Sequence, residues 1–173
     1  MHEINIDSLP KDFDKALFIK KNLKDLDFCF SYASIFSNAK SLRDFIEIIC
    51  NELKLPEKWI SRLVLISDEL NNNAIEYWSK GWEDNCMRIN VSQKWSKINF
   101  VIETEDTWNW SHHRTSKQME KLQDEKLKKW FIWHSSIRWR GLFMIIHKLV
   151  DKLYFKDSPK GGLIVWVKKE LHI

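Results

Sequence analysis

The chain has 173 residues, of which 44% are hydrophobic and 30% charged, and its formal net charge is +4. These values are ordinary for one soluble globular domain that can bury a core. The weak positive charge gives no reason to expect nucleic-acid binding, and no apolar run approaches the roughly 18 residues of a membrane helix. Three widely spaced cysteines, Cys29, Cys50 and Cys86, predict free thiols in a reducing cytoplasm and exclude a disulfide framework.

The first half of the chain predicts one strand and several helices. Residues 1–25 are polar and mixed, which indicates a short appendage with one helix at Lys11–Leu23. The alternating, aromatic-rich stretch Leu26–Tyr32 predicts a strand. Apolar residues spaced along Leu42–Leu53 predict a helix, and Pro56 suits the first position of the helix that follows.

The second half predicts a meander with one long interruption. The predicted elements are strands at Cys86–Ser92, Ile98–Thr104, Lys152–Phe155 and Leu163–Lys168, and a buried helix at Leu142–Val150. Residues 106–138 lack a strand pattern and predict either a functional lid or a disordered segment, with a surface helix at Ser116–Lys129. The order of these elements predicts an α+β fold, a two-layer sandwich with helices on one face of a mixed, mostly antiparallel sheet.

Glu69 and Asn73 stand out in the helix after Pro56. Three asparagines in a row, 71–73, interrupt a helical pattern, although asparagine is a poor residue for a helix interior. At a spacing of four, Glu69 and Asn73 share one helix face. A carboxylate and a carboxamide there can polarise a hydroxyl and hold a hard cation. A solvated helix face is the alternative interpretation.

Three motifs, taken together and in this order along the chain, resemble the ATP-binding domain shared by gyrases, histidine kinases and anti-sigma-factor serine kinases. They are Glu69-x-x-x-Asn73 on a helix, Glu105-Asp-Thr-Trp-Asn-Trp110 after a strand, and Arg138-Trp-Arg-Gly-Leu-Phe143 after the lid. The chain is most similar to the anti-sigma serine kinases. The resemblance implies the Bergerat ATP-binding fold of the GHKL group, with residues 26–173 as the ATP-binding domain and residues 1–25 outside it.

The resemblance also implies a role for each matching residue. Glu69 matches the general base, and Asn73 matches the Mg²⁺ ligand that bridges the ATP phosphates. Asp106 matches the carboxylate that accepts a hydrogen bond from the adenine amino group. Gly141 and Leu142 match the second glycine-rich box, where backbone amides at a helix N-terminus meet phosphate. ATP and Mg²⁺ are therefore the expected cofactors.

Tryptophans occupy positions where this family has glycines. Trp108, Trp110 and Trp139 fall at cofactor-binding positions of the two boxes, and the chain has only 4 glycines beside 10 tryptophans. Six tryptophans lie at predicted turns or loops, namely Trp78, Trp82, Trp95, Trp108, Trp110 and Trp139. A bulky side chain there disfavours positive φ and blocks close approach to phosphate. We interpret these residues as glycines encoded by UGA, and a genuinely tryptophan-rich, degenerate domain is the alternative.

The implied function is regulatory. The leading hypothesis is an ATP-dependent serine/threonine kinase that binds a sigma factor and phosphorylates an antagonist protein, and a homodimer is a further expectation. The alternative is a non-catalytic module, a pseudokinase that binds a partner without chemistry. A stacking platform for single-stranded nucleic acid is disfavoured because the tryptophans concentrate in turns and the charge is only weakly basic. Neither nucleic acid nor a membrane is an expected partner.

Overall fold

Six strands form one sheet in the computed structural model, which describes residues 1–78, 84–107, 115–128 and 147–172. The strands are β1 (His2–Asn5), β2 (Leu26–Ala33), β3 (Asp84–Lys94), β4 (Lys97–Glu105), β5 (Lys152–Asp157) and β6 (Leu163–His172). They lie in the order β1-β2-β3-β4-β6-β5. β1 and β2 are parallel and every other neighbouring pair is antiparallel. The sheet is therefore mixed and mostly antiparallel, as predicted.

The helices are α1 (Lys15–Lys21), α2 (Ser37–Glu52), α3 (Glu57–Asn73), α4 (Ser116–Lys128) and the short α5 (His147–Leu149). α2 and α3 pack against each other and against one face of the sheet. At this contact the rings of Phe30 in β2 and Phe45 in α2 lie 4.7 Å apart. The predicted α+β two-layer sandwich is confirmed. Among the described helices, none is both long and apolar enough to cross a bilayer.

Alternation along the strands produces the two layers, because successive side chains of a strand point to opposite faces. In β2 the residues Leu26, Phe28, Phe30 and Tyr32 are buried under the helices, and the residues between them are half-buried on the other face. The same alternation recurs in β3, β4 and β6. The predicted strands are therefore observed, each longer than predicted by one to four residues at one or both ends.

α2 begins five residues before the predicted start at Leu42, and it ends in a Schellman motif. The N–H of Leu55 donates to the carbonyl of Cys50, and the N–H of Lys54 donates to that of Asn51. Lys54 adopts the left-handed conformation that this motif requires, with φ of 55°. Leu55 is buried beyond the cap, and α3 follows directly after Pro56.

The N-terminal residues contribute to the same core. Ile4, Ile6 and Ile19 are each at most 7% exposed and belong to the main hydrophobic cluster. The helix in this region begins at Lys15, not at Lys11, because the side chain of Asp14 caps it by accepting from the N–H of Leu17 at 2.8 Å. The division into residues 1–25 and 26–173 stays a prediction.

Two predicted helices extend beyond the described residues. α4 matches the predicted surface helix up to Lys128, and its Met119 is fully buried beside β5. Of the predicted helix Leu142–Val150, the structure describes α5 and the residue after it, and residues 142–146 lie outside the described part of the chain.

Candidate nucleotide site

Asp106 is held rigidly at the end of β4. It is 1% exposed, its backbone N–H donates to the carbonyl of Leu163 at 3.1 Å, and its Oδ1 accepts from the N–H of Leu163 at 2.9 Å. This pair of contacts continues the ladder between β4 and β6 by one residue. The orientation of the carboxyl is thereby fixed by backbone groups.

Gly162 is the residue that allows this approach. A Cβ at position 162 would overlap the backbone oxygen and the Oδ1 of Asp106, and it would lie 2.7 Å from the Asp106 carbonyl carbon. Glu105 secures the same turn, because its carboxylate accepts from the Ser158 hydroxyl and pairs with the Lys160 ammonium at 3.0 Å. The β5–β6 turn and the end of β4 therefore form one fixed unit.

Glu69 and Asn73 lie one turn apart on α3, as their spacing predicts. The Asn73 amide nitrogen donates to the backbone carbonyl of Glu69 at 2.6 Å. Since the nitrogen is committed there, the carboxamide oxygen is the end of Asn73 that can face a cation. Burial raises the pKa of Glu69, and the negative charge of Asp68 raises it further. A carboxyl with a raised pKa is suited to accept a proton near neutral pH.

A π-helical turn, Ala74–Trp78, follows Asn73 directly. An additional side-chain donor on the Glu69 carbonyl competes with the backbone ladder where the helix changes type. Turns of this kind are frequent at functional sites because they displace side chains from the regular helical positions. The backbone of Trp78 closes the turn.

Topology brings Glu69 and Asn73 to the same end of the sheet as Asp106. β3 starts at Asp84, only six residues after the π-helical turn, and the register pairs Cys86 with Glu105. α3 also contacts β4. The end of α3 and the residue after β4 therefore lie toward the same end of the sheet, although 33 positions separate them in the sequence.

Three buried polar side chains at this end were not singled out as site residues from the sequence. The hydroxyls of Tyr32 and Thr104 and both amide atoms of Asn71 have no hydrogen-bond partner within the described part of the chain. Burial raises the pKa of Tyr32 well above its usual range, with further contributions from Cys86 and Asp106, which places Tyr32 within electrostatic reach of Asp106. Thr104 precedes Asp106 by two residues on the same face.

Buried polar atoms without partners are costly, so they mark positions where a polar ligand or water is accommodated. Their signal in the sequence is weak, because tyrosine and threonine are common strand residues. Asn71 belongs to the unusual run of three asparagines in the sequence. The spacing of four residues, however, selects Glu69 and Asn73 as the pair on one helix face.

The remaining predicted site residues lie outside the described part of the chain. They are Trp108, Trp110, Trp139, Gly141 and Leu142. The described site therefore comprises the base, cation and adenine positions of the expected constellation, and both glycine-rich boxes remain predictions.

Comparison with known proteins shows similarity in fold. No protein-family model matches the sequence, and no curated protein matches it. A chain in the crystal structure of the SiaB–SiaC complex from Pseudomonas aeruginosa is similar in structure, with a TM-score of 0.54 and 10% sequence identity. The match covers 93% of this chain and 100% of that chain. At this identity the likeness shows that the two chains share a fold over nearly their whole lengths.

Proposed function

We propose that this protein is an ATP-binding regulator that acts as a serine/threonine kinase on an antagonist protein and as an anti-sigma factor. The observation that carries the nucleotide assignment is the buried carboxyl of Asp106, fixed by Leu163 and approached closely by Gly162. A carboxylate held by backbone groups can select a ligand amino group, because a mismatched group would leave it unpaired. Adenine presents such a group.

Three side chains of the site have assigned roles in this proposal. Asp106 accepts from the adenine amino group, and the oxygen of Asn73 ligates Mg²⁺ beside the phosphates. Glu69 accepts the proton of a serine or threonine hydroxyl on the antagonist. Phosphoryl transfer is largely a matter of positioning and charge neutralisation, so this small set of groups suffices.

A protein partner is supported by the structural relative, which is a component of a complex between two proteins. The sigma factor and the antagonist are expected from the resemblance to anti-sigma serine kinases. A homodimer is part of the same proposal.

Titration calorimetry with Mg²⁺-ATP tests the nucleotide site. The variant Asp106→Asn keeps the shape of the side chain and an oxygen for Leu163, but it presents an amide donor to the adenine amino group. We expect ATP affinity to fall at least about tenfold, which corresponds to roughly 1.4 kcal/mol. Asp151→Asn is a matched control at an acid that accepts from Lys169 and from the backbone of Glu170. Equal ATP affinity in the wild type and Asp106→Asn would contradict the assignment.

Transfer of labelled phosphate to a host protein tests the kinase activity. Glu69→Gln removes the base but keeps the size of the side chain, so transfer should be lost while Mg²⁺-ATP still binds. Unchanged transfer in Glu69→Gln would exclude Glu69 as the base.

The second candidate is a partner-binding module without chemistry. It is favoured by Trp108, Trp110 and Trp139, which stand at the three positions where this kind of nucleotide site requires glycine. If these tryptophans are genuine, the expected result is absent or millimolar Mg²⁺-ATP binding together with retained partner binding. Micromolar Mg²⁺-ATP binding by a chain that contains the tryptophans would exclude this candidate.

A further inference from the structure

Two cysteines lie together on the sheet face opposite α2 and α3. Cys29 is in β2 and Cys86 is in β3, and the antiparallel register pairs Cys29 with Arg88 and Ser31 with Cys86. The two thiols are therefore diagonal neighbours on one face. Both are half-buried, whereas Cys50 lies inside the core.

The thiols interact, and their surroundings make them unequal. A hydrogen bond from Cys86 is the main cause of a lowered pKa at Cys29, with smaller contributions from the charges of Lys160 and Arg88. Burial and the charge of Glu3, which pairs with Cys29 from β1, oppose this effect. The same interaction raises the pKa of Cys86, as do burial and the charge of Glu105, and Lys160 opposes them.

This asymmetry is the arrangement of a reactive dithiol. The attacking group in thiol chemistry is the thiolate, so this asymmetry favours Cys29 over Cys86 as the attacking group. Arg88 beside Cys29 is itself fixed, because its guanidinium donates to both carboxylate oxygens of Asp27 at 3.0 and 3.1 Å. A fixed cation next to Cys29 favours the thiolate.

We propose that Cys29 and Cys86 form an oxidation site that hydrogen peroxide converts to an intramolecular disulfide. The Cys29 thiolate attacks one peroxide oxygen, the O–O bond breaks, and the departing hydroxide takes up a proton to leave as water. The Cys86 thiol then loses its proton as its sulfur attacks the sulfenic sulfur of Cys29. The S–O bond breaks, hydroxide and that proton leave as water, and the S–S bond forms. The two thiols lose two electrons in total, and the peroxide oxygens gain them.

The diagonal placement also predicts that the bond is easily reversed. Diagonal neighbours in a sheet have Cα atoms about 7–8 Å apart, beyond the roughly 4.4–6.8 Å that a relaxed disulfide spans, so closure must move the backbones of the two strands closer together. A strained disulfide is more readily reduced than a relaxed one. Reduction by a dithiol should therefore restore the starting state.

The test treats the full reduced chain with hydrogen peroxide and counts free thiols after unfolding. We expect the count to fall from three to one, with an intact mass lower by two hydrogens and a cross-linked peptide that joins Cys29 to Cys86. Cys50 is the internal control, since burial raises its pKa to about 12. A disulfide that contains Cys50, a bond between two chains, or oxidation of Cys29 and Cys86 without a link would overturn the proposal.

Three variants separate the roles of the thiols. In Cys86→Ser the reaction should stop at a sulfenic acid on Cys29, which dimedone traps. In Cys50→Ser the link between Cys29 and Cys86 should form at the wild-type rate. Trapping of a sulfenic acid on Cys86 in a Cys29→Ser variant, at the rate seen for Cys29, would contradict the assigned order. The wild-type cross-link decides the main question even if a variant fails to fold.

Discussion

Trp95 has a bulky side chain at a backbone position that favours glycine. It stands first in the two-residue loop between Lys94 and Lys97, it has φ of 57°, and its side chain is 88% exposed. A left-handed conformation costs a residue with a Cβ about 1–2 kcal/mol, and glycine avoids this cost. Hairpin loops of this length favour glycine at such positions. The exposed indole offers little burial in compensation.

Trp95→Gly should therefore stabilise the protein. We expect a gain of about 1 kcal/mol, or a rise in Tm of about 2–4 °C for a chain of this size. Lys54→Gly is the matched control, since Lys54 has nearly the same φ at the end of α2. Both variants should be stabilised by a similar amount in urea denaturation. A loss of stability in Trp95→Gly would mean that the indole contributes contacts that outweigh the backbone cost.

The residue at position 95 also tests whether UGA codons in the gene are translated as glycine. If UGA encodes glycine in the source lineage, protein purified from its own cells should carry glycine at position 95. Peptide mass spectrometry distinguishes the two residues directly, and the peptides that contain residues 108, 110 and 139 should agree with it. Tryptophan in these peptides would instead support the degenerate, partner-binding alternative.

The ionised side chain of Glu69 is predicted to lower the stability of the folded protein at neutral pH. Its pKa is raised in the folded state, so its protonated form is favoured there, and its contribution to stability is lost as pH rises through the folded pKa. Glu69→Gln should therefore raise Tm at pH 7 and leave it unchanged below about pH 4, where the unfolded chain also binds the proton. Because the side chain is partly exposed, the gain should stay under about 1 kcal/mol. Equal Tm differences at both pH values would contradict this account.

At the scale of elements, the β5–β6 turn and the end of β4 depend on Gly162. Gly162→Ala should cost about 1–3 kcal/mol in urea denaturation and weaken Mg²⁺-ATP binding, because its Cβ must displace Asp106. Gly161→Ala is the comparison, since Gly161 has φ of 92° and its substitution costs only the backbone strain of about 1 kcal/mol. Equal losses of stability and affinity in the two variants would contradict a specific cost of the Cβ overlap with Asp106.

The strands and helices differ in how well they can be predicted from their own sequences. The alternation in β2 to β4 and β6 predicts a sheet with one buried face, because each strand carries its own period. β1 carries no such period: four residues long, it has Ile4 as its single buried residue, and only its pairing with β2 makes it a strand. The early start of α2 is missed for a similar reason, since the Asn38 side chain near its beginning bonds to Asp7, a partner distant in sequence.

The candidate site divides in the same way. Glu69 and Asn73 are singled out by their helical spacing, and Asp106 by the resemblance to the ATP-binding family. The burial of the Tyr32 and Thr104 hydroxyls beside Asp106 results from strand register, which no local pattern displays. Gly162 lies in a predicted turn, but its close approach to Asp106 is a long-range contact and becomes visible only in the folded chain.

At the scale of the whole molecule, the contribution of residues 1–25 to folding can be measured. These residues provide Ile4, Ile6 and Ile19 to the core, and burial of an isoleucine stabilises a protein by about 1.5–3 kcal/mol. Together they amount to roughly 5 kcal/mol or more, which is comparable with the whole stability of many domains. Their removal would also uncover Phe28, whose ring packs near His2 and Phe18.

A chain that begins at residue 26 should therefore be unfolded or strongly destabilised, as circular dichroism and urea denaturation would show. Two point variants in α1 give a matched comparison that leaves the chain length unchanged. Ile19→Ala, at a fully buried position, should cost about 2–5 kcal/mol, whereas Leu17→Ala, at a position 48% exposed, should cost well under about 1 kcal/mol. If the shortened chain unfolds cooperatively at the same urea concentration as the full chain, residues 1–25 are an appendage, and residues 26–173 fold as an independent domain.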